Sequence, residues 1–101
     1  MHLIQILLPL SDDQGRRFAA GKYRKVQALL SQRFKGLTAY SRTVAEGLWK
    51  DGPSLQRDEI IVYEVMTNSL NVKWWKNYQK HLQTVFAQES IVVRALKITV
   101  I

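Results

Sequence analysis

The chain of 101 residues has no cysteine, two histidines and two prolines. Without cysteine there are no disulfides and no thiolate metal sites, so the core must hold by packing alone, which suits a reducing compartment. The two histidines fall far apart, His2 at the start of the first patterned segment and His81 late in the last helical one. That separation argues against a two-histidine metal site, and no metal is expected. No apolar run approaches the ~20 residues that a membrane-spanning helix needs. The apolar start Met1–Leu10 lacks a basic leader, contains Gln5 and Pro9, and has no small-residue cleavage site before Ser11. It reads as a strand rather than a secretory signal, and a cytoplasmic protein is expected.

Catalytic signatures are equally scarce. There is no Gly-x-Ser-x-Gly elbow, no phosphate-binding glycine loop and no cluster of metal ligands, so no cofactor is expected and enzymatic activity stays open. Acidic residues are few, 8 against 15 Lys and Arg, for a formal net charge of +7. A charge of this sign favours anionic partners without dictating a fold, and nucleic acid has to be weighed.

What is present is an ordered set of patterned segments. Leu3–Leu10 reads as a central strand, and Ser11-Asp12-Asp13-Gln14-Gly15 as a turn. Tyr23, Val26, Leu30 and Phe34 recur at helical spacing with Lys22, Lys25, Gln32 and Arg33 between them, and Gly36 is placed to end the helix. Leu37–Lys50 reads as a second strand bent at Gly47, Asp51–Ser54 as a loop, and Glu59–Thr67 as a third strand. Asn71 then caps a second helix, with Leu70 placed to pack on Trp75 and a core stripe drawn from Trp74 or Trp75, Tyr78, Leu82 and Val85 or Phe86. Ile91–Ile101 closes a single domain. The order βαββαβ defines a ferredoxin-like α+β fold: one four-stranded antiparallel sheet with two helices on one face.

In that topology strands one and three are central, strand four lies beside one, and strand two beside three. Alternation assigns Ile4, Ile6, Leu8, Ala39, Ser41, Ile61, Tyr63, Val65, Ile91, Val93 and Ala95 to the helix side. The other side then carries Leu3, Leu7, Tyr40, Val44, Glu46, Val62, Met66, Val92 and Leu96, crossed by a polar row of Arg94, Gln5, Glu64 and Arg42. Left in water, these stripes exceed what soluble monomers usually expose, so a homodimer is expected, packed sheet on sheet as in a dimeric α+β barrel. Met66, Leu96 and Trp49 are the interface candidates, Trp49 because aromatics dominate interface hot spots. The row reads first as a structural Arg-Glu-Gln network at the dimer interface, and in the alternative Gln5, Arg42, Glu64 and Arg94 are the candidates for holding a small anionic ligand. Of the carboxylates expected there, Glu46 and Glu64, either could accept a proton if burial raised its pKa, but the arginines favour a charged structural carboxylate.

The segments Arg33-Phe34-Lys35-Gly36-Leu37-Thr38-Ala39-Tyr40, Glu46-Gly47-Leu48-Trp49-Lys50, Glu64-Val65-Met66 and Trp74-Trp75, followed by Tyr78, Leu82, Phe86, Gln88-Glu89 and Val93-Arg94-Ala95, resemble those of a group of short bacterial proteins with a ferredoxin-like fold. By layout the chain is also similar to the dimeric α+β barrel superfamily of small monooxygenases, lactone isomerases and stress-related domains. The resemblance implies the fold and a dimer. Those enzymes work with a His, Tyr, Asn, Trp or Arg in the barrel cavity, and no such motif matches here residue by residue.

The leading functional expectation is therefore a ligand-binding or interaction module. The alternative is a cofactor-independent monooxygenase or isomerase with its cavity on the open sheet face. Nucleic-acid binding ranks below both: RNA-recognition domains of this topology stack bases on aromatics of the two central strands, and here the only such aromatic is Tyr63, assigned to the helix side. The basic residues Lys22, Arg24, Lys25, Arg33, Lys73, Lys76 and Lys80 read as solvated helix faces.

Overall fold

The computed structural model describes residues 1–34, 36–48 and 55–101, with 40–48 and 55–59 described by their backbone alone. The element order is β1 (His2–Pro9), α1 (Ala20–Arg33), β2 (Thr38–Leu48), β3 (Leu55–Thr67), α2 (Val72–Val85) and β4 (Val93–Lys97). The strands form one antiparallel sheet in the order β2-β3-β1-β4, the split arrangement expected from the pattern.

The helix-side alternation is observed on the central strands. Ile4, Ile6 and Leu8 of β1 and Ile61, Tyr63 and Val65 of β3 are buried together with Val26 and Leu30 of α1, Trp75, Tyr78 and Leu82 of α2, and the flanking Phe86 and Ile91. Burying such side chains contributes roughly 1.5–3 kcal/mol each. Tyr63 lies fully buried beneath the helices, where its hydroxyl accepts from Gln27 Nε2 at 2.9 Å. Ala39 and Ala95, assigned to the same side, are exposed, because they lie on the outer strands.

Helix ends follow local chemistry. Asn71 caps α2, its Oδ1 accepting from Trp74 N–H at 3.0 Å. At the other end Ala87 takes φ 49°, with Gln88 N–H donating to Gln83 C=O and Ala87 N–H to Thr84 C=O at 2.9 and 3.3 Å. These two bonds close a Schellman motif with alanine where glycine is usual. Lys22 Nζ donates to Val85 C=O at 2.8 Å and so places a cation at the negative end of α2. Helix α1 ends one step before the expected glycine stop. Phe34 turns extended at φ −121° and stacks on Trp75, with ring centroids 5.3 Å apart, so packing rather than Gly36 ends the helix.

The limits of β4 and β3 and the regularity of β2 depart from expectation. β4 spans Val93–Lys97 rather than Ile91–Ile101: its ladder with β1 runs from Val93 opposite Ile6 to Lys97 opposite His2, and beyond it a single bond from Ile98 N–H to Met1 C=O at 3.0 Å is too little to extend the strand. β3 begins at Leu55, four residues early: the polar stretch 55–59 has no alternation to read and is drawn into the sheet by pairing with β2. The irregularity in β2 falls between Tyr40 and Thr43, while Gly47 pairs regularly with Gln56.

Candidate functional site: the open sheet face

Backbone register builds this face in rows. Gln5 is level with Glu64 on one side and Arg94 on the other, and Leu3 is level with Met66 and Leu96. Leu7 is level with Val62, and its N–H donates to Val92 C=O at 3.0 Å. A polar row is thus framed by two apolar ones. Met66, Val92 and Leu96 are each nearly half exposed, at 49, 48 and 47%.

Within the polar row the side chains form a directed chain of hydrogen bonds. Arg94 Nε donates to Gln5 Oε1 at 2.7 Å, and Gln5 Nε2 donates to Glu64 Oε2 at 2.6 Å. Gln5 therefore couples a guanidinium to a carboxylate that sits two strands away. The amide suits this position because it offers one acceptor and one donor group, which no charged side chain of either sign can do.

Three of the four row candidates, Gln5, Glu64 and Arg94, are brought together. The fourth position is Thr38, which pairs with Glu64 where Arg42 was expected. Ser41 and Arg42 lie in the irregularity, and Arg42 is four residues along the strand from the row, about 13 Å at the usual rise. Glu46 pairs with Arg57, farther still along the hairpin. Trp49 lies outside the described residues. A β-bulge of this kind has no reliable signature in a single sequence, whereas the regular pairing of β1 with its neighbours follows from alternation.

Two features beside the face were not anticipated. A recess of about 220 Å³ opens between α2 and β4, floored by Ile4 and Trp75 and edged by Leu70, Lys76 and Gln79. Gln79 Nε2 donates to Ile91 C=O at 2.6 Å along this flank. Near the start of α2, Arg33 lies 4.1 Å over the Trp74 ring, which in turn stacks on Tyr78 at 5.1 Å. Trp75 is the buried member of the tryptophan pair and Trp74 the flanking one. The Arg33-Phe34 and Trp74-Trp75 dipeptides were visible in the sequence, but their meeting needs the two helices side by side.

Burial sets the protonation behaviour of the tyrosines on the helix side. Tyr23 and Tyr78 are both pushed up to about 12, chiefly because burial disfavours the phenolate, and Tyr63 is raised for the same reason. All three are hydroxyl forms at neutral pH. On the open side, β1 and β3 present Leu3, Gln5, Leu7, Val62, Glu64 and Met66, without an aromatic on which a base could stack. Among the described residues, no helix is long and apolar enough to cross a membrane, and no group of three or more His, Cys, Asp or Glu could hold a metal ion.

No protein-family model and no curated protein matches the chain. Solved structures do match. CutA from Pyrococcus horikoshii, in 3 M guanidine hydrochloride, superposes with TM-score 0.60 at 11% identity, over 100% of this chain and 87% of that one. The divalent ion tolerance protein CutA1 from Ehrlichia chaffeensis gives 0.57 at 14% identity, over 99 and 82%. A phage SAM lyase in complex with S-methyl-5'-thioadenosine gives 0.58 at 16% identity, over 95 and 80%. At these identities the likeness establishes the ferredoxin-like fold and nothing finer.

Proposed function

We propose that this chain is a small self-associating interaction module whose open sheet face packs against a second copy of itself. The observation that carries the reading is the framing of the Arg94–Gln5–Glu64 row by two apolar rows on an uncovered sheet. Half-exposed Met66, Val92 and Leu96 gain most from being covered, and Trp49, in the segment joining β2 to β3, is proposed as a further anchor. The row itself supports an interaction role over a pocket for a small anion. Glu64 ends the hydrogen-bonded chain that Arg94 begins, so an incoming anion meets a carboxylate beside its guanidinium.

Multi-angle light scattering tests the reading. The expected mass at micromolar concentration is twice 11.7 kDa, and Met66→Lys lowers it by placing an ammonium where it would lose water without a partner. A wild-type mass of 11.7 kDa at every accessible concentration overturns the proposal. A monomer whose melting temperature rises with small carboxylates or phosphates would move the function to the anionic-ligand reading. Turnover in an enclosed dimer cavity would move it to the monooxygenase or isomerase alternative.

A further inference from the structure

We infer that the two copies meet about a two-fold axis running along β1, so that Arg94 of each copy faces Glu64 of the other. The inference rests on the self-association proposed above and adds its geometry. Across β4, β1 and β3 the row reads cation, neutral amide, anion. A half-turn about an axis parallel to β1, midway between two facing sheets, reverses the strand order. It lays β1 on its own copy, β4 over the partner's β3 and β3 over the partner's β4. The guanidinium then meets a carboxylate twice, once on each side of the axis. A half-turn about an axis across the strands does the opposite: each strand lies on its own copy, and arginine stacks on arginine while glutamate stacks on glutamate. Like charges opposed in an interface that excludes water are strongly unfavourable, so the face selects the first arrangement.

The remaining bonding capacity agrees. Arg94 spends Nε on Gln5, and Glu64 spends Oε2. Among the described residues, the two terminal nitrogens of Arg94 and Oε1 of Glu64 make no hydrogen bond, and they are the atoms suited to a paired, charge-assisted contact. Facing sheets lie ~10 Å apart, a gap that an arginine and a glutamate reaching from opposite sides can close. The same half-turn sets Met66 over the partner's Leu96 and Leu3 over its own copy, so the apolar rows stay dry. Gln5, on the axis, keeps its two intrachain bonds.

Charge exchange between chains tests this. R94E alone and E64R alone each oppose like charges twice, and sedimentation should show dissociation constants raised on the order of tenfold or more. Mixed one to one, they restore both attractive pairs, and native mass spectrometry should find the heterodimer in excess with affinity within a few-fold of wild type. An effect confined to the intrachain row could not be rescued in this way, because each chain keeps its own lesion. Should a reversal fail to fold by circular dichroism, the milder R94Q and E64Q serve: wild-type association should weaken with added salt, and either variant should flatten that dependence. Single reversals that associate like wild type, a mixture no better than its components, or a salt-independent wild-type dimer overturns the pairing while leaving the open-face dimer standing. A monomeric wild type overturns both.

Discussion

Gln5 of β1 lies directly opposite Glu64 of β3, and its amide nitrogen donates to the carboxylate at 2.6 Å while its carbonyl oxygen accepts from Arg94. One neutral side chain thereby bonds to two charged neighbours on a half-buried sheet surface, using one polar atom of each, and both bonds are charge-assisted.

Gln5→Leu should remove both bonds while keeping the bulk. Urea unfolding is expected to show a loss of about 1–2 kcal/mol, since each bond is partly exposed and its net contribution is near 1 kcal/mol. Unchanged stability would show that water replaces the row at little cost.

Ala87 holds a left-handed conformation at the end of α2, φ 49°. A Cβ there costs roughly 1–2 kcal/mol, partly offset by the greater freedom of glycine in the unfolded chain. Ala87→Gly should therefore raise stability by about 0.5–1 kcal/mol, read as a higher urea midpoint with an unchanged slope.

Asn71→Ala removes the acceptor for Trp74 N–H at the opposite end of the same helix. The expected penalty is about 1 kcal/mol, and Asn71→Asp should retain the cap.

Tyr23, partly buried, and Tyr78, buried, make the fold sensitive to alkali. Because Tyr23 and Tyr78 are raised from 10.0 to about 12, the folded state holds their protons more tightly than the unfolded state does. Their contribution is complete below pH 10 and is lost as pH rises through about 12. Denaturant midpoints should fall across that interval, and the 295 nm phenolate absorbance of these groups should appear late or together with unfolding. A phenolate signal at ordinary pH from an intact fold would contradict their burial.

Much of this architecture was legible in the residues. Alternation in β1 and β3 placed Ile4, Ile6, Leu8, Ile61, Tyr63 and Val65 beneath the helices, because a period of two admits only two registers of side chain per strand and only one of them is apolar enough to bury. The helical stripes of Tyr23, Val26, Leu30 and of Trp75, Tyr78, Leu82, together with the Asn71 cap, are local signals, and the split strand order follows from the element sequence. Three members of the polar row follow from the same alternation.

Tertiary structure alone decided the rest. The irregularity after Tyr40 moves Arg42 off the row and sets Thr38 beside Glu64, a shift of register that depends on which residue β3 presents rather than on β2's own pattern. Phe34 leaves α1 to stack on Trp75, the left-handed Ala87 closes α2 where no glycine announces it, and β4 stops where its partner strand begins. Periodicity is a property of one segment and can be read from it. Register, stacking and the pairing of distant charges are properties of two segments at once, and they exist only after the chain has brought those segments together.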